Sequence, residues 1–433
     1  MLGKTAAVAL LTGAALVAIP AAVSAQTAEE DSVKNRARPE FDPIGIELDE
    51  FLGIFGLVSA RTIEQKSSPL SSFAVFPTFG ITADHNSNIF LTENNAVSDK
   101  KVVYAPSLGI SSDWANHSLT FSANASIGRH ADNTREDFED FQLQTGGRID
   151  VDEYRFVTGS AGVARRHESR GEEDDPGQGF APTVLYNWFA DTTAEYLADA
   201  FLVRLTFNYD FDDYLNSTGR NNDVQDVRTY DFSARFGYEF TPGTTVFVEP
   251  NGDLRRFVRK RDDIGLLQDN GSVGTLVGVT FDATGVTFLE FGVGVTHRAY
   301  EEPTFKSQTN LDFSGKLVWN PTDLTTVTGA IGRNTAESAT QGESGVLSTS
   351  YSLGVDHEFL DNVILSAGLT HVRGDNQQTS RIDMDYSATF GVNYLVNANL
   401  SAQLTLAQAW RESNLIGESY ENFIATIGLT GKL

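Results

Sequence analysis

The chain has no cysteine in 433 residues, which excludes a disulfide framework and a thiolate metal site. The compartment stays open on that count, because an oxidising space permits disulfides without requiring them. Long hydrophobic runs are also missing. Beyond the extreme N-terminus no uncharged apolar stretch reaches the length of a transmembrane helix, so a helical membrane protein is excluded. Basic residues are few, with 32 Lys and Arg against 58 Asp and Glu and a formal net charge of −26. Nucleic acid is not an expected partner, since phosphates demand clustered bases. Catalytic signatures are absent too: no GxSxG elbow, no HExxH and no glycine-rich phosphate loop before a helix. The seven histidines are scattered, and Asp356 and His357, being strand neighbours, point to opposite faces. No catalytic, cofactor or metal residue is therefore assigned, and the chain is not expected to be an enzyme.

Aromatics are plentiful: 29 Phe, 13 Tyr and 4 Trp spread along most of the chain, which argues against disorder. Residues 1–25 read as a cleaved signal peptide. Lys4 gives the positive start, Ala6 to Ile19 the apolar core, and Val23-Ser24-Ala25 the small-residue site before Gln26. An uncleaved anchor is the alternative, disfavoured by the short core and the polar QTAEEDS segment directly after it. Residues 26–72 are mixed and carry Pro39 and Pro43. They read as a periplasmic extension, either docked beneath the strands of the downstream chain or a plain linker.

From Phe73 to Leu433 the pattern has period two. In 228–240, Tyr230, Phe232, Ala234, Phe236, Tyr238 and Phe240 share one face, and Thr229, Asp231, Ser233, Arg235, Gly237 and Glu239 the other. Alternate side chains of a strand point oppositely, so one face is apolar and the other aqueous. The alternation returns at 118–130 and 382–394, over runs about twice the usual 5–6 residues of a soluble strand. That length suits a tilted membrane strand. Short turn-like connections, such as Thr241-Pro242-Gly243, alternate with long polar stretches, such as 85–100, 168–180 and 212–225. The expected fold is all-β: a transmembrane up-and-down antiparallel barrel of about 18 strands, with 16 as the alternative and both termini periplasmic. Lipid selects closure, because a free strand edge finds no water there. Tyr104, Trp114, Tyr186, Trp188, Trp319, Tyr394, Trp410 and Tyr420 suit interfacial girdles. Pro77, Pro106 and Pro250 predict bends or bulges, each removing a ladder donor.

The polar faces give candidate pore-lining positions. They are Arg148 and Asp150, then Arg204, Asp231, Arg235 and Glu239, then Glu249, Asp253 and Arg255. Further along come Glu290, Arg298, Asp312 and Lys316, then Asp356, Glu358, Asp383 and Asp385, with Asp210 also pointing inward. Two roles fit them: salt-bridge ladders that stiffen the barrel, or charged rings that set selectivity. Two acidic clusters, Glu172 to Asp175 and Asp210, Asp212 and Asp213, are read as solvated loops in preference to divalent-cation sites. Arg165-Arg166, Arg255-Arg256 and Arg259-Lys260-Arg261 are rim charges, with lipid phosphates as the functional alternative.

Several stretches resemble a family of outer-membrane β-barrel porins found beside exopolysaccharide biosynthesis and export genes in proteobacteria. The best is FAVFPTFGITADHNSNIFLT at 73–92, like that family's first strand followed by its Asp/Asn–Asn–hydrophobic–Phe motif. RPEFDPIGIEL (38–48), VVYAPSLGISSDWANHSLTFSANASIGRH, the ESRGEEDDP loop and FGYEFTPGTTVF are also similar to family landmarks. The final FIATIGLTGKL departs by lacking a terminal aromatic. The resemblance implies an outer-membrane channel for secreted exopolysaccharide. Its partners would be outer-membrane lipid and lipopolysaccharide, the barrel-assembly machinery and periplasmic polysaccharide-export proteins. The rivals are a general diffusion porin and a structural or adhesive barrel whose lumen is closed by the loop at 85–95 or by the extension. A receptor with a folded plug is disfavoured, because the 47 residues of the extension are too few.

Overall fold

In the computed structural model the described residues are 68–70, 72–171, 177–217, 220–283, 286–336 and 345–432. The expected signal peptide, most of the extension and the Glu172–Asp175 cluster lie outside them. A three-residue strand, β1 (Ser68–Leu70), precedes β2 (Phe73–Asn86), β3 (Asp99–Ser112), β4 (Ser118–His130), β5 (Phe138–Asp150), β6 (Arg155–His167) and β7 (Val184–Ala198). Next come β8 (Phe201–Tyr214), β9 (Val227–Thr241), β10 (Thr244–Phe257), β11 (Asn270–Ala283), β12 (Thr287–Tyr300) and β13 (Gln308–Thr322). The last six are β14 (Thr325–Ala336), β15 (Val346–Leu360), β16 (Val363–Asn376), β17 (Ile382–Asn397), β18 (Leu400–Ser413) and β19 (Tyr420–Lys432).

From β2 onward each strand pairs antiparallel with its sequence neighbours, and β19 returns to β2 through pairs such as Gly428↔Thr82. The result is a closed barrel of 18 strands, and closure removes the edges that lipid forbids. The seam is staggered. The β19 ladder on β2 ends at Lys432↔Thr78, and β1 takes the same edge at Phe73 to Val75. Pro77 lies between the two, where a residue without an N–H leaves no donor unpaired.

Pro106 and Pro250 do less than the sequence suggests. The β3–β4 ladder runs from Tyr104↔Ile127 to Ser107↔Asn124, and the β9–β10 ladder from Val248↔Phe236 to Asn251↔Ser233. Pairing is interrupted at each proline but resumes in the same register, so neither is a bulge.

Connections at the end where β2 begins and β19 finishes are tight. At Thr241-Pro242-Gly243, Gly243 has φ +79, and an added Cβ would meet the Asp282 carbonyl oxygen at 2.7 Å. Proline followed by a left-handed glycine is what such a turn requires. The opposite end carries longer connections, including 87–98, 168–183, 215–226 and 258–269.

The strands from β2 onward turn one face outward, and on most of them it carries exposed apolar side chains, Leu205, Phe207, Phe232, Phe236, Val277, Val293, Leu353 and Ile427 among them. Aromatic rings gather near both margins of this face. Tyr351, His371, Tyr386 and Trp410 form a ladder across β15 to β18, with successive ring centroids 6.0, 4.5 and 5.2 Å apart. Tyr209 and Tyr230 pair at 5.2 Å near the long-loop margin, and Phe201 and Tyr238 at 5.2 Å near the other. Eight residues separate Tyr230 from Tyr238; at about 3.3 Å per residue and a tilt near 40°, the two girdles stand roughly 20 Å apart along the membrane normal. Tyr420 is a correction. It is buried on the opposite face beside Arg411, because it opposes Arg411 in the β18–β19 register.

Candidate functional site

The ladder registers decide which polar residues share a face. Arg204↔Arg235, Asp231↔Asp253, Thr280↔Glu290, Glu290↔Lys316 and Gly294↔Asp312 tie the candidates of β8 to β13 together. Ser118↔Arg148, Thr326↔Asp356, Glu358↔Ile364, Gly374↔Asp383 and Val372↔Asp385 extend the same face to the rest. All seventeen candidates, and Asp210 with them, lie opposite the exposed apolar side chains. That face is the interior. Arg235 on β9 reaches Glu290 on β12, over two intervening strands, which only a concave surface allows.

The candidates do not form one ring; they form several separate groups. In the first, the Arg235 guanidinium donates through Nε to Glu249 and through both terminal nitrogens to Glu290, at 3.1 and 2.9 Å. It stacks 3.7 Å above the Phe247 ring. Phe247 in turn covers Gly278, where a Cβ would sit 2.3 Å from the ring. Glycine at 278 thus makes room for the aromatic floor on which the ion triad rests. Glu249 is 0 % exposed and Arg235 3 %, so this triad is a packed structural feature of the wall. Charge-assisted, bidentate bonding of this kind is the strong form of the interaction.

The second group lies nearer the long-loop end. Arg298 makes a two-point contact with Asp253, at 2.9 and 2.8 Å, and also donates to Asn270 at 2.5 Å. Ser272 donates to the same carboxylate, and Arg255 approaches it at 3.7 Å. Asp231 faces Asp253 directly across the ladder. Elsewhere Arg204 holds Glu195 at 2.7 Å and Arg148 holds Asp150 at 2.7 Å. Glu239 accepts a bond from the Gly243 amide and fastens its turn. Asp356 and Asp191 have no ion pair among the described residues, while Asp231 is attracted by Arg255 and Arg298.

The third group closes on the long-loop mouth. Arg411 donates to Asp385 at 2.6 Å, and Arg381 to Asp383 at 2.7 Å and Glu418 at 3.3 Å. Arg411 also donates to the Gly171 carbonyl at 3.3 Å. Gly171 belongs to the connection after β6, and β6 stands six strands from β18 around the wall. The connection therefore leans across the mouth. Its Arg170 is buried, donating to Glu136 at 2.8 and 2.6 Å and to the Phe180 carbonyl at 2.5 Å.

Beneath it sits the motif Asn88-Ile89-Phe90-Leu91. Asn88 is 1 % exposed. Its amide nitrogen donates to the Thr92 and Glu421 carbonyls at 2.9 and 3.0 Å, its oxygen accepts from the Thr92 N–H, and its backbone N–H donates to Asn422. One side chain thus folds the loop tightly and clips it to β19. Ile89, Phe90 and Leu91 are consequently buried, with Arg170 5.4 Å over the Phe90 ring.

A family model described as "Putative beta-barrel porin 2" matches residues 63–433. The chain belongs to this porin family. No curated protein sequence matches it. Solved structures with similarity include two from Pseudomonas aeruginosa. OccK2 (OpdF) is 9 % identical, covering 83 % of this chain and 97 % of that one with a TM-score of 0.46. The outer membrane protein OpdK is also 9 % identical, covering 83 % and 99 % with a TM-score of 0.45. The siderophore receptor PirA of Acinetobacter baumannii is 8 % identical, covering 83 % and 80 % with a TM-score of 0.46. Its family membership makes the chain an outer-membrane, porin-like channel.

Several residues of this porin's interior escape a reading of the sequence. Arg411 follows Ala407 and Ala409 on the inner face of β18, so the second half of that strand shows little polar–apolar contrast. Asp191 and Glu195 share β7's inner face with Leu185 and Phe189, which masks the alternation. Arg170 and Glu136 are in connections, where no periodicity exists. The acidic run Asp210 to Asp213 is not a loop; β8 continues to Tyr214, which sends Asp210 and Asp212 inward and Asp213 outward. Asn187 bridges the two inward carboxylates at 3.3 and 2.9 Å, and Arg166 reaches Asp212 at 3.6 Å. The paired arginines 165–166 and 255–256 are likewise split between faces.

Proposed function

We propose that this porin is a passive, cation-preferring exit for a neutral or weakly charged secreted polysaccharide, with both termini in the periplasm. The observation that carries the reading is the charge state of the interior. Arg148, Arg204, Arg235 and Arg298 are each held by carboxylates, Arg235 by two of them, whereas Asp191 and Asp356 have no basic partner among the described residues. The surplus is negative, and confined charge of one sign concentrates its counter-ions. Barrels of 16–18 strands are wide enough for an aqueous channel. The polysaccharide cargo is supported by the resemblance of the 73–92 motif, and direction would come from periplasmic export partners.

A diffusion pore for small solutes is the second reading, favoured by the buried Asn88–Leu91 loop and Arg170 at the mouth. Liposome swelling with size-matched neutral and uronate oligosaccharides tests both. Neutral chains should enter faster at low salt, and the difference should shrink as salt shortens the reach of the charges. Entry of monosaccharides and disaccharides alone would favour the small-solute pore. Faster entry of uronates would refute the cargo proposed.

A further inference from the structure

The outward face of the strands carries its bases at one margin only. Lys100, Arg129, Arg165, Arg228, Arg256, Arg333 and Arg373 all lie within four residues of the long-loop ends of their strands. At the other margin the sole outward base among the described strand residues is Arg155, tied to Asp152 in its own turn. Within this belt Arg228 and Arg256 face each other directly across the β9–β10 ladder. Like charges in that position repel. Neither makes an ion pair among the described residues: Arg228 lies 5.0 Å over the Phe211 ring, and Arg256 donates to the Arg255 and Asn270 carbonyls. Asp226 and Asp213 flank the pair on the loop side, while Tyr209 and Tyr230 lie one step toward the apolar band. The two arginines thus stand just above an aromatic girdle, at headgroup height.

We infer that Arg228 and Arg256 form a binding site for a phosphate of the phosphorylated glycolipid that builds the outer leaflet. An anion between the two guanidiniums turns their repulsion into two charge-assisted contacts. A belt at one margin matches a membrane with phosphorylated glycolipid in one leaflet only, and it assigns the long-loop end to the cell exterior. The site rests on the outer-membrane location alone and not on any cargo.

The test is native mass spectrometry of the purified full-length porin with bisphosphorylated lipid A, dephosphorylated lipid A, phosphatidylglycerol and inorganic phosphate. Bisphosphorylated lipid A should bind best, and Arg228→Gln with Arg256→Gln should weaken it about tenfold or more, since each base near a membrane surface contributes roughly a factor of five. Channel conductance should be unchanged, which shows that the variant is folded. Equal binding by variant and parent would overturn the site. So would equal retention of the dephosphorylated lipid or of phosphatidylglycerol, or displacement of lipid A by inorganic phosphate at equal concentration.

Discussion

Replacing Arg235 by Met is expected to lower the stability of the barrel by about 3–5 kcal/mol, because it leaves two buried carboxylates facing each other without their cation. Glu249 and Glu290 converge on this one guanidinium, and Glu249 has no exposed surface. The Phe247 ring also loses the cation stacked on it. Adding Glu249→Gln and Glu290→Gln to Arg235→Met should recover most of the loss, since an uncharged trio leaves no charge without a partner. Urea unfolding followed by the heat-dependent shift in gel mobility measures both variants. If Arg235→Met unfolds at the same urea concentration as the parent, the triad is not a structural element of the wall.

Single substitutions one residue apart should separate the two faces of β9. Ala234 points into lipid midway between the rings of Tyr230 and Tyr238, across from Leu205, and Ser233 points inward across from Asn251. Ala234→Arg should cost about 2–4 kcal/mol, the usual penalty for a base at the bilayer midplane. Ser233→Arg should insert normally and lower conductance, its charge being within reach of Asp231 on the same face. Membrane yield and single-channel current read the two effects. Loss of the Ser233 variant with survival of the Ala234 variant would mean that the register is off by one.

Period-two alternation made the barrel legible, because lipid and water demand opposite residues from alternate positions. Tyr230 to Phe240 show this most plainly. Strand number was legible as well, since tight turns such as Thr241-Pro242-Gly243 punctuate the chain regularly. Pairing partners were not. Whether Arg235 meets Glu249, Glu290 or Arg204 depends on the ladder stagger, which alternation does not encode. The ion triad appeared in the sequence only as separate inward charges. The mouth was harder still. Asn88 clips its loop to β19 through contacts more than 330 residues away in the chain, and no local pattern announces them. Residues such as Arg411 and Asp191 vanish where small or aromatic side chains share the inner face. The outward base belt became visible only once parity split Arg165 from Arg166 and Arg255 from Arg256.

The most direct measurement is the reversal potential of the reconstituted porin in a planar bilayer under a salt gradient. Cation preference at low salt is the predicted result, reduced but not abolished by Asp231→Asn with Glu239→Gln, and fading as ionic strength rises. A clear anion preference would contradict the account, because the interior would then carry surplus arginine and an acidic polymer would be the better cargo.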